Sequence, residues 1–127
     1  MATVTRFEDL MVWKKSRCLA AEVFRETAVP PLRRQSALED QMRRAGVSIV
    51  SNIAEGFERK SPQDFARFLR YAQASCAELR TQLYLARDIE ALNPEKFARL
   101  SQMAIEVSRL IGGLQTYLSR APQRKST

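Results

Sequence analysis

Gln41-Met-Arg-Arg-Ala-Gly-Val-Ser-Ile-Val-Ser-Asn-Ile-Ala-Glu-Gly56-Phe-Glu-Arg-Lys-Ser61-Pro62 joins two long amphipathic segments of this 127-residue chain, and its reading decides the fold. Leu38, Met42, Ala45, Ile49, Ile53 and Phe57 recur at steps of three and four, so one apolar stripe runs along a helix and faces a core. That helix is expected to stop between Gly56 and Lys60. Ser61-Pro62-x-Asp64 then restarts the chain, with a hydroxyl for orphan N–H groups, a proline suited to the first helical position, and an acid near the positive dipole end. The expectation is a tight hinge between two core-facing helices.

The same logic gives the other helices. Thr5-x-x-Glu8 predicts a capping box opening a helix over about residues 7–28, with Leu10, Trp13, Arg17, Ala20 or Ala21, Phe24 and Thr27 on one face before Pro30 and Pro31 stop it. Ser36-x-x-Glu39 predicts a second box for the helix over about residues 37–57. Beyond the hinge, Phe65, Phe68, Leu69, Ala72, Cys76, Leu79, Leu83, Ala86 and Ile89 trace a core stripe for a helix over about residues 62–92. Asn93-Pro94 caps the last helix, over about residues 94–120, where Phe97, Leu100, Ala104, Val107, Ile111, Leu114 and Leu118 keep heptad spacing. Gly112-Gly113 inside it costs about 1 kcal/mol per glycine against alanine, which points to a close helix approach or a bend.

Four helices with short connections predict an all-α, up-down-up-down antiparallel four-helix bundle, one domain over residues 1–120, with a disordered basic tail over residues 121–127 that includes Arg124 and Lys125. On the third helix a second stripe of Tyr71, Ala74, Ala77, Thr81, Tyr84 and Leu85 widens the apolar face. A subunit interface accounts for it, as does a wider intramolecular core.

Composition narrows the function. No apolar run is long enough to span a bilayer and the first residues lack a signal core, so no membrane role and a cytoplasmic location are expected. Cys18 and Cys76 both fall in apolar helical patterns and read as reduced core thiols. Histidine is absent, which removes the usual general base, the common zinc nitrogen ligand and Ser-His or Cys-His nucleophilic pairs. Glu8-Asp9 and Glu39-Asp40 fall in first helical turns, where they favour the dipole. Neither catalysis, nor a metal, nor a cofactor is expected; a metal-dependent nuclease through Glu39, Asp40 and Glu55 is the one catalytic alternative, and no divalent-ion binding is expected of it.

The net charge is +7, with sixteen arginines against five lysines, which favours an acidic or polyanionic partner. Intrahelical spacing pairs off many cations: Arg43 with Glu39 or Asp40, Arg44 with Asp40, Arg59 with Glu55, Arg99 with Glu95, while Arg25, Arg67, Arg87 and Arg109 each have an acid at three. Lys14, Lys15, Arg17, Arg33, Arg34, Lys60, Arg70, Arg80 and Arg120 lack such partners, as do Arg124 and Lys125 of the tail. The first eight of these form the candidate nucleic-acid surface, because the planar arginine fork suits phosphate. Separately, Asn52, Glu55 and Glu78 lie beside core positions and need partners; Arg43, Arg44 and Gln82 are expected to join them in a polar network that fixes helix register or a subunit interface.

The stretch Arg43-Arg44-Ala45-x-Val47-Ser48-Ile49-x-Ser51-Asn52-Ile53-Ala54-Glu55-Gly56, followed by Arg59-Lys60-Ser61, resembles a bacterial four-helix-bundle family, some members of which are encoded by intervening sequences in large-subunit ribosomal RNA genes. Phe7-Glu-Asp-Leu-x-Val-Trp13-Lys14, Phe65-x-x-Phe68-Leu69 and Ala77-Glu78-Leu79-x-Thr81-Gln82-Leu83 extend the likeness over roughly Phe7 to Leu118. Where the family usually has proline this chain has Val50, which predicts a straighter second helix. The resemblance implies a ring-like homo-oligomer, most often a pentamer. It also implies similarity to the accessory variability protein of diversity-generating retroelements, a basic ring that binds nucleic acid and a reverse transcriptase. Together these readings predict a non-enzymatic homo-oligomer that binds RNA or DNA without sequence readout. The alternative is a scaffold or adaptor for a protein partner, such as a reverse transcriptase or a ribosome-associated protein.

Overall fold

The computed structural model describes residues 3–120, so the tail over residues 121–127, with Arg124 and Lys125, lies outside the described residues. Four helices account for most of the chain: α1 (Met11–Thr27), α2 (Ser36–Glu58), α3 (Pro62–Asp88) and α4 (Pro94–Arg120), with short 3-10 turns at Phe7–Asp9 and Leu32–Arg34. No strand occurs among the described residues. Packing runs around a square, α1 on α2, α2 on α3, α3 on α4 and α4 back on α1, as an antiparallel up-down-up-down bundle requires. One end of the bundle, the hinge end, gathers the start of α1, the α2–α3 turn and the finish of α4. The opposite, linker end gathers the α1–α2 linker and the α3–α4 turn.

The stripes of α2, α3 and α4 face the core much as their spacing predicts. Met42, Ala45, Ile49 and Ile53 interlock with Leu69, Ala72, Cys76, Leu79, Leu83 and Ala86, and with Leu100, Ala104, Val107 and Ile111, all buried. α2 runs unbroken through Val50. At the hinge, Ser61 caps α3 by accepting from the Asp64 N–H at 3.3 Å, with Pro62 as first helical residue. Asn93 does the same for α4, its Oδ1 accepting from the Lys96 N–H at 2.8 Å.

α1 is rotated by one residue from the expected face. Val12, Ser16, Leu19 and Val23 are buried, with Thr27 inward as its spacing predicts, whereas Arg17 and Phe24 are exposed and Trp13, Ala20 and Ala21 only half-buried. Ser16 and Thr27 can occupy core positions because each hydroxyl donates to its own helix, Ser16 to the Trp13 carbonyl at 2.9 Å and Thr27 to that of Val23 at 2.7 Å. The same rotation turns Cys18 outward, so only Cys76 is a core thiol.

Three boundaries also differ. The Thr5/Glu8 box does not form: Leu10 is extended, separating the Phe7–Asp9 turn from α1, and Glu8 pairs instead with Arg6. The Ser36/Glu39 box does not form either, because Gln35 holds the cap position without a side-chain bond and Glu39 pairs with Arg43. α3 ends at Asp88 rather than near 92, where Glu90 takes a left-handed conformation (φ 59°). That reversal lets the Ala91 N–H reach the Ala86 carbonyl at 2.8 Å and folds Ala91 and Leu92 into the core.

Candidate functional site

Ion pairing separates the cations that fasten the bundle from those that do not. The intrahelical pairs Arg25–Glu22, Arg43–Glu39, Arg44–Asp40, Arg59–Glu55 and Arg67–Asp64 form at 2.6–3.4 Å. Arg99 ignores Glu95 and crosses to Glu26 (3.0 Å) and Glu22 (3.3 Å), and Arg87 pairs with Asp88. Lys15, a candidate for the nucleic-acid surface, instead reaches Glu106 on α4 at 3.4 Å. Since Lys15 takes that carboxylate, Arg109 has no ion pair, contrary to what its spacing from Glu106 predicts.

Of the candidate cations, Lys14, Arg17, Arg33, Arg34, Lys60, Arg70 and Arg80 are exposed and make no ion pair among the described residues, as are Arg109 and Arg120. They do not form one patch. Lys14, Lys60 and Arg120 sit toward the hinge end, where α1 begins and α4 finishes, and Arg70 lies two turns into α3 from there. Arg33 and Arg34 occupy the linker turn, about 35 Å away at 1.5 Å per residue along α2. Arg80 lies about 27 Å up α3 from the hinge. Aromatic rings accompany the hinge-end cations: Arg17 stacks on Trp13, and Arg59 and Arg67 lie on Phe68 at 5.0 and 5.1 Å. Lys60 holds a left-handed φ of 58° at the turn.

The second stripe of α3 belongs to the outside. Tyr71, Ala74, Ala77, Thr81, Tyr84 and Leu85 are all exposed, with Tyr71, Tyr84 and Leu85 near half exposure, and Ile89, expected in the core, joins them. The wider-core explanation therefore fails for one chain taken alone.

The six-residue polar network is not assembled within the chain. Asn52 donates to the Ser48 carbonyl (2.8 Å) and hydroxyl (3.0 Å), and Ser48 bonds Ser75 across the α2–α3 seam at 2.8 Å. Arg43 donates to the Thr27 hydroxyl at 2.8 Å and covers the Phe24 ring. Arg44, Glu55 and Glu78 point to solvent, and the Gln82 Oε1 is buried without a donor. Sequence spacing missed what does fix the α3–α4 register: Gln73 and Ser108 bond reciprocally, Gln73 Nε2 to the Ser108 carbonyl (3.1 Å) and Ser108 Oγ to Gln73 Oε1 (2.9 Å).

Glu39, Asp40 and Glu55, the nuclease alternative, each engage an arginine on their own helix, and the described residues hold no group of three metal-ligating side chains. Burial pushes the Cys76 thiol up, against a smaller lowering by the Arg80 charge, and its S–H points to the Ala104 carbonyl at 3.3 Å. A cleft of about 490 Å³ at the linker end lies between Val29, Pro31, Leu92 and Arg87. Its cations are taken, Lys96 by Glu26 at 2.9 Å and Arg87 by Asp88 and the Tyr84 and Phe97 rings. No helix among the described residues is long and apolar enough to cross a membrane.

The family model of the 23S rRNA-intervening sequence proteins matches residues 8–113. Among solved structures, the chain is similar to a protein of unknown function from the S23 ribosomal protein family of Bacteroides thetaiotaomicron, with a TM-score of 0.74 at 23% identity over 83% of this chain and 98% of that one. At that identity the likeness is one of fold. No curated protein matches.

Proposed function

This chain belongs to the 23S rRNA-intervening sequence protein family, and from that premise we propose that it is a non-enzymatic cytoplasmic protein that assembles into a ring-like homo-oligomer, a pentamer, and binds RNA or DNA through phosphate contacts without base readout. The observation that carries the reading is the set of unpaired cations toward the hinge end, Lys14, Lys60 and Arg120. A cation already engaged by a carboxylate gains little from phosphate, whereas these release counterions on binding. Repetition around an oligomer multiplies the number of phosphates reached and steepens the salt dependence.

A second reading, a scaffold or adaptor for a protein partner, is favoured by the exposed Tyr71–Ile89 face of α3, which resembles a protein contact more than a phosphate groove. Fluorescence anisotropy of structured RNA, duplex DNA and single-stranded DNA, at several salt concentrations and with the oligomeric mass known, tests the first. Affinity is expected to fall log-linearly with salt, and the triple variant Lys14→Ala/Lys60→Ala/Arg120→Ala to flatten that slope with assembly intact. Arg33→Ala/Arg34→Ala at the far end is expected to leave it unchanged. No binding at low salt refutes the nucleic-acid reading and leaves the scaffold.

A further inference from the structure

The outward faces of α2 and α3 carry opposite charges at matching heights. The Ser48–Ser75 hydrogen bond fixes the register of these antiparallel helices, so equal steps taken in opposite directions from it stay level. Glu78, three residues beyond Ser75, is level with Ala45 and hence with the adjacent Arg44. Arg70, five residues before Ser75, is level with Ile53, within about 3 Å along the axis of Glu55. Between these levels, Val47 on α2 is 47% exposed and sits at a height between those of the exposed small residues Ala77 and Ala74 of α3.

Within one chain these side chains do not meet. Arg70 and Glu78 have no ion pair among the described residues. Arg44 uses its Nε on Asp40 at 2.8 Å, leaving the terminal N–H groups of its fork open, and Glu55 meets Arg59 through Oε1 alone. Glu78 stands inside an apolar face formed by Tyr71, Ala74 and Leu85, and covering that face strands its carboxylate unless the cover brings a cation.

We infer that the outward face of α3 in one copy docks on the outward face of α2 in the next, Glu78 meeting Arg44, Arg70 meeting Glu55, and Val47 seated between Ala74 and Ala77. The inference rests on the oligomeric reading above and names its contact. Rotation about an axis along the bundle leaves heights unchanged, so levels set inside one chain carry over between copies. Adjacent helices of a square bundle face outward about 90° apart. A head-to-tail contact through them closes a ring after about four copies, or about five if the angle opens to about 108°. Phosphate is not the occupant: Asp40, Glu55 and Glu58 line the α2 side and Glu78 the centre of the α3 side.

The test is solution mass by light scattering across concentration, with helicity confirmed by circular dichroism. The wild-type chain is expected at a multiple of 14.5 kDa. Glu78→Arg alone and Arg44→Glu alone, both at exposed positions, are expected to raise the dissociation constant at least tenfold, and the two combined in one chain to restore the wild-type mass. Val47→Arg is expected to block assembly by placing a charge in the seam. An oligomer that survives Glu78→Arg and Val47→Arg, or a double variant that does not recover, overturns this pairing of faces and leaves the oligomeric reading standing. A wild-type chain that stays at 14.5 kDa at every concentration overturns both.

Discussion

Replacing three of the helical glycines by alanine separates backbone propensity from packing. A Cβ added at Gly56 falls 2.6 Å from the Phe68 Cβ and 3.1 Å from the Phe65 Cδ1. Carbon–carbon contacts are ordinarily about 3.5–4.0 Å, and the Phe68 Cβ is fixed to its backbone, so α2 and α3 must part by about 1 Å at the hinge. Overpacking of that kind costs about 1–3 kcal/mol, with a change anchored to backbone at the upper end. Alanine gains about 1 kcal/mol over glycine in a helix interior, which leaves a net loss of about 2 kcal/mol for Gly56→Ala. At Gly113 nothing lies within 4 Å, so Gly113→Ala keeps the whole gain of about 1 kcal/mol. Gly46, whose Cβ would meet the Ala20 backbone at an ordinary 3.5 Å, falls between. All three changes stiffen the unfolded chain alike, so the difference between sites reports the native environment. Thermal and urea melts at 222 nm read it: Tm lower by about 8 °C for Gly56→Ala and higher by about 4 °C for Gly113→Ala. A Gly56→Ala chain as stable as Gly113→Ala refutes the close approach at the hinge.

Thr27→Val removes a fully buried hydroxyl that both donates to Val23 and accepts from Arg43, so it is expected to cost about 1–3 kcal/mol by urea melt; a neutral result means Arg43 finds solvent without loss. Ser108→Ala strips half of the reciprocal bond with Gln73 and is expected to cost about 1 kcal/mol, with Gln73→Ala/Ser108→Ala costing less than the two singles added. Thiol labelling is expected to be immediate at exposed Cys18 and to track unfolding at Cys76; equal rates refute the α1 rotation. Because burial raises the Cys76 pKa above its ordinary value of 9.0, the native state favours the neutral thiol; its contribution is complete below pH 9.0 and is lost as pH rises beyond. Cys76→Ala is expected to shallow the alkaline decline seen in urea melts between pH 8 and 10.

The legible part of the fold was the part in which large apolar residues do the burying. Met42, Ile49, Leu69, Leu79, Leu83, Leu100 and Ile111 announce their faces by spacing alone, and Ser61-Pro62 and Asn93-Pro94 announce their caps. α1 misled because its largest residues, Trp13 and Phe24, are not its most buried. They lie at the α1 surface under the guanidinium groups of Arg17 and Arg43, while small Ser16 turns inward with its hydroxyl satisfied by the Trp13 carbonyl. A search for apolar residues at helical spacing cannot see a polar residue that bonds its own helix. The ends of α1 and α3 failed for a related reason: Leu10 and Leu92 gain more by folding back onto the core than by extending a helix a further turn into solvent.

The candidate site was legible as a set of charges but not as a surface, because intrahelical spacing is a weak guide to pairing. An i,i+3 or i,i+4 pair is worth about 0.2–0.5 kcal/mol, so a carboxylate on a neighbouring helix readily outcompetes it. Arg99 leaves Glu95 for Glu22 and Glu26, and Lys15 takes Glu106 from Arg109. Every cross-helix ion pair among the described residues lies on the α1–α4 seam, whereas the α2–α3 and α3–α4 seams use Ser48–Ser75 and Gln73–Ser108. Outward residues on α2 and α3 therefore have no cross-helix ionic partner to consume them. What is left divides by place: the unpaired cations Lys14, Lys60 and Arg120 toward the hinge end, and Arg44, Glu55, Arg70 and Glu78 around Val47 and the alanines of α3. On the proposed reading, a polyanion would be attracted to the first and repelled from the carboxylates of the second, while a second copy of the chain would satisfy the second without occupying the first. The two proposed roles thus do not compete for one surface, and a variant that dissolves the proposed oligomer through Glu78 is expected still to bind phosphate at the hinge, one copy at a time, with a shallower dependence on salt.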